Sequence, residues 1–202
     1  MTQSTWLPYV VFDSALPVSM CDNIIEIHDR LEYTRGGIMD SGKPTYSSHR
    51  NVDLQGSELQ WLNALIVGYS RLANHLNFNY DLTDQDKERL QFSKYDEGMY
   101  FRDHMDFAGY KDTVLFTRKL SVTVQLSDPN SYKGGDLIID NCENGKPFTC
   151  PRTRGTIIVF DSRWIHRVKP IKSGRRYSLV KWIHGDTPLR SVSYTHLRAH
   201  ET

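Results

Sequence analysis

The chain has 202 residues, 39% hydrophobic and 24% charged, which suits one ordinary globular domain or two small ones and excludes a disordered or fibrous chain. Lys plus Arg number 25 against 24 Asp plus Glu, so the net charge of +1 gives no electrostatic case for nucleic acid or an anionic membrane as main partner. No apolar run approaches the ~20 residues of a membrane helix, the N-terminus lacks signal-peptide blocks, and three cysteines without a CxxC pair make neither a disulfide framework nor a thiolate zinc site; a reducing, cytoplasmic setting is the default.

In chain order, the first third predicts helices. Ser19-Met20-Cys21-Asp22 is a capping-box pattern, followed by Val18, Cys21, Ile24, Ile25, His28 and Leu31 at helical spacing. A second capping box, Ser57 with Gln60, opens an apolar stripe of Leu59, Leu62, Leu65, Ile66, Tyr69, Leu72, Ala73 and Leu76. Such a face must lie against something, most cheaply a sheet. Between the helices, 36–56 is rich in Gly, Ser and polar residues and reads as a strand with mobile loops, a surface connection more than a lid.

From Leu90 onward the pattern predicts short strands at 90–95, 100–106, 119–126, 136–139, 146–149, 156–160, 165–168 and 175–184. Turn residues separate them, among them Asp96-Glu97-Gly98, Asp128-Pro129-Asn130, Asn144-Gly145 and Ser173-Gly174. Many short strands suggest a sandwich or barrel. Two helices before them give an α+β fold, with N-terminal helices buttressing a barrel. The reading is a single domain over 1–190, with 191–202 as a tail of doubtful origin, so that His196 and His200 carry no weight as ligands.

The chemistry is concentrated in His104, Asp106 and His166. His104-Met105-Asp106 ends a predicted strand, and residues i and i+2 of a strand project to one face. His166, just beyond the 156–160 strand, supplies a third donor. Two imidazoles and one carboxylate on one side of a metal leave the opposite positions open, the facial arrangement of non-haem Fe(II) oxygenases. Taken alone, an HxD pair is common by chance: His104 also reads as a hydrogen-bonded core histidine and Asp106 as a turn residue. His28, His49, His75 and His184 read as satisfied or solvent-facing.

Arg176 adds a second feature, with Ser178 on the same face of the last strand. An arginine fork pairs with a carboxylate through two parallel hydrogen bonds, and a serine hydroxyl adds another. Alternation allows only one of Arg175 and Arg176 to face inward, and the pattern does not say which. Trp164 and Trp182 read as barrel core or rim. Asp161 either orients a ligand histidine or ends a strand, and Asp136 and Asp140 read as turn residues.

Four stretches in order carry a family resemblance. They are Tyr95-Asp96-Glu97-Gly98-Met99-Tyr100-Phe101 leading into His104-Met105-Asp106; Leu120-Ser121-Val122-Thr123-Val124 with Leu126-Ser127-Asp128-Pro129; Tyr132-Lys133-Gly134-Gly135-Asp136-Leu137; and His166-Arg167-Val168-Lys169-Pro170-Ile171 followed by Gly174, Arg176 and Trp182-Ile183. Over about half the chain this resembles the Fe(II)/2-oxoglutarate dioxygenases of the prolyl 4-hydroxylase-like superfamily, and it looks closest to the PKHD-type hydroxylases. The resemblance implies a double-stranded β-helix, a jelly-roll or cupin-like barrel. It implies His104, Asp106 and His166 as iron ligands, Arg176 as anchor for the distal carboxylate of 2-oxoglutarate, Tyr95 as a residue reaching that co-substrate and Ser178 as a helper.

The expected cofactors are Fe(II), 2-oxoglutarate as co-substrate, O2 and, as a further candidate, ascorbate. The expected reaction is hydroxylation of a C–H bond, with a prolyl residue of a polypeptide as leading substrate and succinate and CO2 as products; that substrate rests on the resemblance alone. An oxygenase acting on a free small molecule and a non-catalytic metal- or carboxylate-binding barrel are the competing readings. Two departures stand out. Gln125 holds the place where prolyl hydroxylases often carry a tyrosine that reaches the co-substrate, and the chain stops soon after Pro188 whereas PKHD relatives continue past the last core strand.

Overall fold

The computed structural model describes residues 7–30, 34–35, 48–52, 60–83, 88–106, 117–140 and 146–185. Among the described residues, thirteen strands, two α-helices and a π-helical turn (Asn74–Phe78) make up an α+β arrangement of antiparallel sheets. The strands, in chain order, are β1 (Tyr9–Phe12), β2 (Thr34–Arg35), β3 (Ser48–Val52), β4 (Leu90–Tyr95), β5 (Phe101–His104), β6 (Thr117–Gln125), β7 (Tyr132–Gly134), β8 (Leu137–Ile139), β9 (Phe148–Thr149), β10 (Ile157–Asp161), β11 (His166–Val168), β12 (Ile171–Gly174) and β13 (Arg176–Gly185). A seven-stranded sheet runs β1-β10-β6-β13-β4-β3-β2, a four-stranded sheet β5-β11-β8-β9, and β12 pairs with β7.

The expected strands in the second half all form, with ends shifted by a few residues. Strands β1, β7 and β12 are additional: each has four residues or fewer, too short for an alternation to stand out in the sequence. A strand was expected within 36–56, and β3 is that strand; most of the rest of this stretch lies outside the described residues, as do Ser57, Leu59, Cys142 and 186–202.

Helix α1 (Val18–Asp29) begins differently from the expectation. Pro17 is its N-cap and no side chain caps it, so the Ser19 capping box is not formed and Ser19 sits inside the first turn. Proline's fixed φ and missing N–H suit a helix start, which lets Pro17 set the boundary. Helix α2 (Gln60–Ala73) buries Leu62, Ile66, Ser70 and Ala73, while Leu72 and Leu76 of the predicted stripe are exposed. The stripe is broader than the face the sheet can cover.

Two cores divide the molecule, and strand alternation assigns residues between them. Ile157 and Val159 of β10, Leu120, Val122 and Val124 of β6, and Leu179 and Ile183 of β13 pack with Ile24 of α1 and Leu62 and Ile66 of α2. Ile158 and Phe160 face the other way and join Leu137 and Ile139 of β8 and Val168 of β11. Burial of both faces explains the unbroken apolar run of β10. Each fully buried aliphatic side chain contributes about 1.5–3 kcal/mol of transfer free energy, so two cores of this size hold the sheets together without disulfides; Cys21 and Cys150 are buried free thiols.

The same alternation explains the placement of the polar residues. With Val122 and Val124 turned to the helices, Ser121, Thr123 and Gln125 turn inward, and all three are buried. With Tyr177 and Leu179 turned to the helices, Arg176 and Ser178 turn inward. The inner face of β6 and the start of β13 is thus polar and buried, a costly combination unless its groups are paired or meant for a ligand.

Candidate metal centre and carboxylate site

His104, at the end of β5, and His166, at the start of β11, are direct Cα partners across the antiparallel pair. Their rings lie 4.0 Å apart, centre to centre. Asp106 follows two residues after His104, and its backbone N–H donates to the Ser162 carbonyl at 3.0 Å. Oδ1 of Asp106 lies 3.4 Å from Nε2 of His104, and Oδ2 lies 3.3 Å from Nε2 of His166. One ligand atom from each of the three residues falls within 4.8 Å of the others.

The surroundings fix these side chains. Nδ1 of His104 bonds the Arg102 carbonyl at 2.8 Å, and Nδ1 of His166 bonds the Trp164 carbonyl at 3.0 Å. A carbonyl only accepts, so Nδ1 of each ring donates to it, and it is Nε2 that faces Asp106 and, in a neutral ring, offers the lone pair. Ser121 donates its hydroxyl to Oδ2 of Asp106 at 2.7 Å and shares a 2.9 Å bond with Ser162. Burial alone pushes the Asp106 carboxyl up, but His166 and His104 beside it hold it well below the usual carboxylate range. Burial lowers His166, and Asp106 outweighs it, so the imidazole is raised. Two imidazoles and one ionised carboxylate are a donor set for a divalent transition metal.

Asp161 does not orient a histidine. Its buried carboxylate takes the guanidinium of Arg163 and the hydroxyl of Tyr80. The Trp164 carbonyl does the orienting, and a backbone group leaves no residue-type signal in a sequence. Trp164 packs on the inter-sheet core. Asp136 and Asp140 flank β8, and Asp140 holds Arg167 at 2.9 Å.

Arg176 is the inward arginine, 1% exposed, while Arg175 is outside and pairs with Asp96. On the inward face of β13, Nη2 of Arg176 donates to Oε1 of Gln125 at 2.9 Å, and Nη1 donates to Oγ of Ser178 at 3.3 Å. Tyr95, its Cα partner on β4, sets its ring 5.4 Å from the guanidinium. Nε has no partner, and no carboxylate among the described residues pairs with this arginine. A buried cation with neutral partners only is destabilising by several kcal/mol, which fits a site shaped for an acid that arrives from outside. Gly135 (φ +69°) makes room for it: a Cβ there would fall 2.4 Å from Ile171 and 3.3 Å from Cδ of Arg176.

His104, Asp106 and His166 form one cluster, and Tyr95 and Ser178 stand beside Arg176. Sequence reasoning missed Ser121, Ser162 and the rim residue Arg118. Arg118 donates to the Asp106 carbonyl at 3.3 Å, stacks on the Trp182 ring at 4.0 Å and is held by Glu88. The period-two polar positions Ser121, Thr123 and Gln125 inside an otherwise apolar strand are the signal that could have found the first of these.

Comparison with known proteins follows the same line. Residues 90–184 match the family described as the 2OG-Fe(II) oxygenase superfamily. A PKHD-type hydroxylase of Crocosphaera subtropica is 30% identical over 187 residues, covering 86% of this chain and 82% of the relative. Another, from Rippkaea orientalis, is 28% identical, covering 70% of this chain and 65% of the relative. A prolyl-4-hydroxylase of Pseudomonas putida superposes with a TM-score of 0.68 at 19% identity, over 91% of this chain and 95% of its own. A prolyl hydroxylase of Trichoplax adhaerens, solved with a hypoxia inducible factor peptide fragment, gives a TM-score of 0.68 at 17% identity, over 88% and 83%. The structural neighbours share the fold, the jelly-roll of these oxygenases. With a His104, Asp106 and His166 donor set for a metal and a buried guanidinium without a carboxylate partner among the described residues, the chain belongs to the 2OG-Fe(II) oxygenase superfamily, an enzyme class in which it is related to the PKHD-type hydroxylases.

Proposed function

We propose that the protein is a Fe(II)- and 2-oxoglutarate-dependent hydroxylase acting on a prolyl residue of a polypeptide, with residues 1–190 forming one double-stranded β-helix domain. The observations that carry this are the clustering of His104, Asp106 and His166 and a buried Arg176 that lacks a carboxylate partner among the described residues. In this reading His104, Asp106 and His166 hold Fe(II), and Arg176 holds the distal carboxylate of 2-oxoglutarate, with Ser178 and Tyr95 beside it. Bound there, Fe(II) and 2-oxoglutarate supply the O2 chemistry that hydroxylates a C–H bond and releases succinate and CO2.

The chain's own residues bind, orient and exclude water. The two backbone-held imidazoles keep Nε2 aimed at the metal position, and Ser121 keeps the carboxylate turned toward it. Tyr95 walls the co-substrate space, and burial raises its phenol so that the hydroxyl keeps its proton. At the rim, Nε1 of Trp182 is buried without an acceptor, and the Arg118 guanidinium lies over the same indole. The leftover indole N–H of Trp182 suits the carbonyl of a polypeptide backbone. The peptide-bound prolyl hydroxylase among the neighbours supports the same choice.

The free thiols Cys21 and Cys150 support a reducing compartment, and a cytoplasmic location is part of the proposal. No helix among the described residues is long and apolar enough to cross a membrane. The test incubates the enzyme with Fe(II), 2-oxoglutarate and ascorbate alongside proline-containing polypeptides. Succinate formation matched by one added oxygen on a prolyl residue is expected. Oxygen added only to free amino acids would move the assignment to a small-molecule oxygenase.

A further inference from the structure

Gln125 is 2% exposed at the end of β6, directly opposite Ser178 of β13. Its backbone is clamped to the turn that leads into β10: its N–H donates to the Thr156 carbonyl at 2.9 Å, and its carbonyl accepts from the Gly155 N–H at 2.7 Å. Its amide is fixed at both ends. Oε1 accepts from Nη2 of Arg176 at 2.9 Å, and Nε2 donates to the Pro151 carbonyl at 3.1 Å. The amide orientation is forced, because a guanidinium only donates and a carbonyl only accepts; exchanging the O and N would set donor on donor and acceptor on acceptor.

After these bonds Arg176 keeps its Nε hydrogen and a second hydrogen on each Nη, and Gln125 keeps the second hydrogen on Nε2; among the described residues Nε of Arg176 has no partner at all. All of them belong to the two groups joined by the Nη2 to Oε1 bond. A buried donor without an acceptor costs about 1–3 kcal/mol, so this surplus is tolerated where a ligand supplies acceptors. A phenol in this place has one hydrogen. The amide can take a guanidinium hydrogen, hold a main-chain carbonyl and still offer a hydrogen to a third group.

We infer that Gln125 is a positioning residue for the keto-acid: it sets the rotation of the Arg176 guanidinium and gives its remaining N–H to the distal carboxylate. This rests on the reading that Arg176 takes that carboxylate. It makes the carboxylate-binding end of this pocket an arginine–amide pair.

Calorimetry without O2, on the full chain loaded with Fe(II), tests this with two keto-acids. One is 2-oxoglutarate; the other is 2-oxopentanoate, which carries a methyl group where the distal carboxylate stands. The unmodified protein is expected to bind 2-oxoglutarate at least about tenfold more tightly. Gln125→Met should weaken 2-oxoglutarate about tenfold, while 2-oxopentanoate and Fe(II) affinities stay within about twofold. Gln125→Glu, nearly isosteric, should weaken 2-oxoglutarate further, because its carboxylate neutralises Arg176 and offers only acceptors; it also serves if the Met variant fails to fold. Equal loss for both keto-acids, or no loss for either, overturns the role of Gln125 alone. If the unmodified protein does not discriminate between them, the Arg176 reading falls and this inference falls with it.

Discussion

Ser121 donates its hydroxyl to Oδ2 of Asp106, the same oxygen that lies 3.3 Å from Nε2 of His166. Besides the two imidazoles, this bond is what holds the carboxylate in one rotamer. Removing it leaves all three candidate ligands in place but frees one of them. Ser121→Ala is therefore expected to fold and to bind Fe(II) about 10–100-fold more weakly, the usual effect of deleting a group that orients a ligand. Anaerobic metal titration checks this. Unchanged affinity would remove Asp106 from the metal site or Ser121 from its support.

Arg176 separates co-substrate binding from metal binding. Arg176→Lys retains a cation but loses the planar fork and the bond to Gln125. The expected outcome is a rise of about tenfold or more in the 2-oxoglutarate dissociation constant with Fe(II) affinity within about twofold, read by the same titrations. A drop in both affinities would show that the substitution disturbs the fold instead.

Gly155 tests the packing of the first segment on the sheet. Its φ is +79°, and a Cβ would fall 2.1 Å from the carbonyl oxygen of Leu16, whose N–H donates to the Gly155 carbonyl at 3.0 Å. Both the backbone conformation and the contact exclude a side chain. Gly155→Ala is expected to destabilise by more than about 1 kcal/mol, visible as a lower midpoint in urea. It should also perturb Gln125, whose carbonyl accepts from the Gly155 N–H.

Much of this was legible in the sequence because period and spacing encode it. His104 and Asp106 at i and i+2 read as one face of a strand, and the structure turns both toward His166. The Arg175-Arg176 ambiguity was real: alternation gives two faces but not which is inside. Tyr177 and Leu179 resolve it only once helices α1 and α2 are seen to cover their side. Pro17 displaced the Ser19 capping box because a proline fixes a helix start more firmly than a hydroxyl two residues later. The backbone carbonyls of Arg102 and Trp164, which hold the two imidazoles, could not be read at all, since every residue has one. Gln125 stood out as a departure from a family pattern, yet its partner Pro151 comes from a turn brought near only by the β6–β10 pairing.

His28 gives a prediction about stability and pH. It lies fully buried on α1, edge-on to Phe92 and Tyr177. Burial lowers its pKa from 6.5 to about 3; Asp29 opposes this and Lys94 adds to it. The folded protein thus keeps the ring neutral where the unfolded chain takes up a proton. The sign follows from linkage: the contribution is present in full above the unfolded pKa and is lost as pH falls from about 6.5 toward 3. Between pH 7.5 and 5 the loss from this one group is roughly 2 kcal/mol. Urea midpoints across that range should fall more steeply for the unmodified protein than for His28→Leu, which has no proton to gain. Parallel slopes would mean that the buried imidazole is not what the acid acts on.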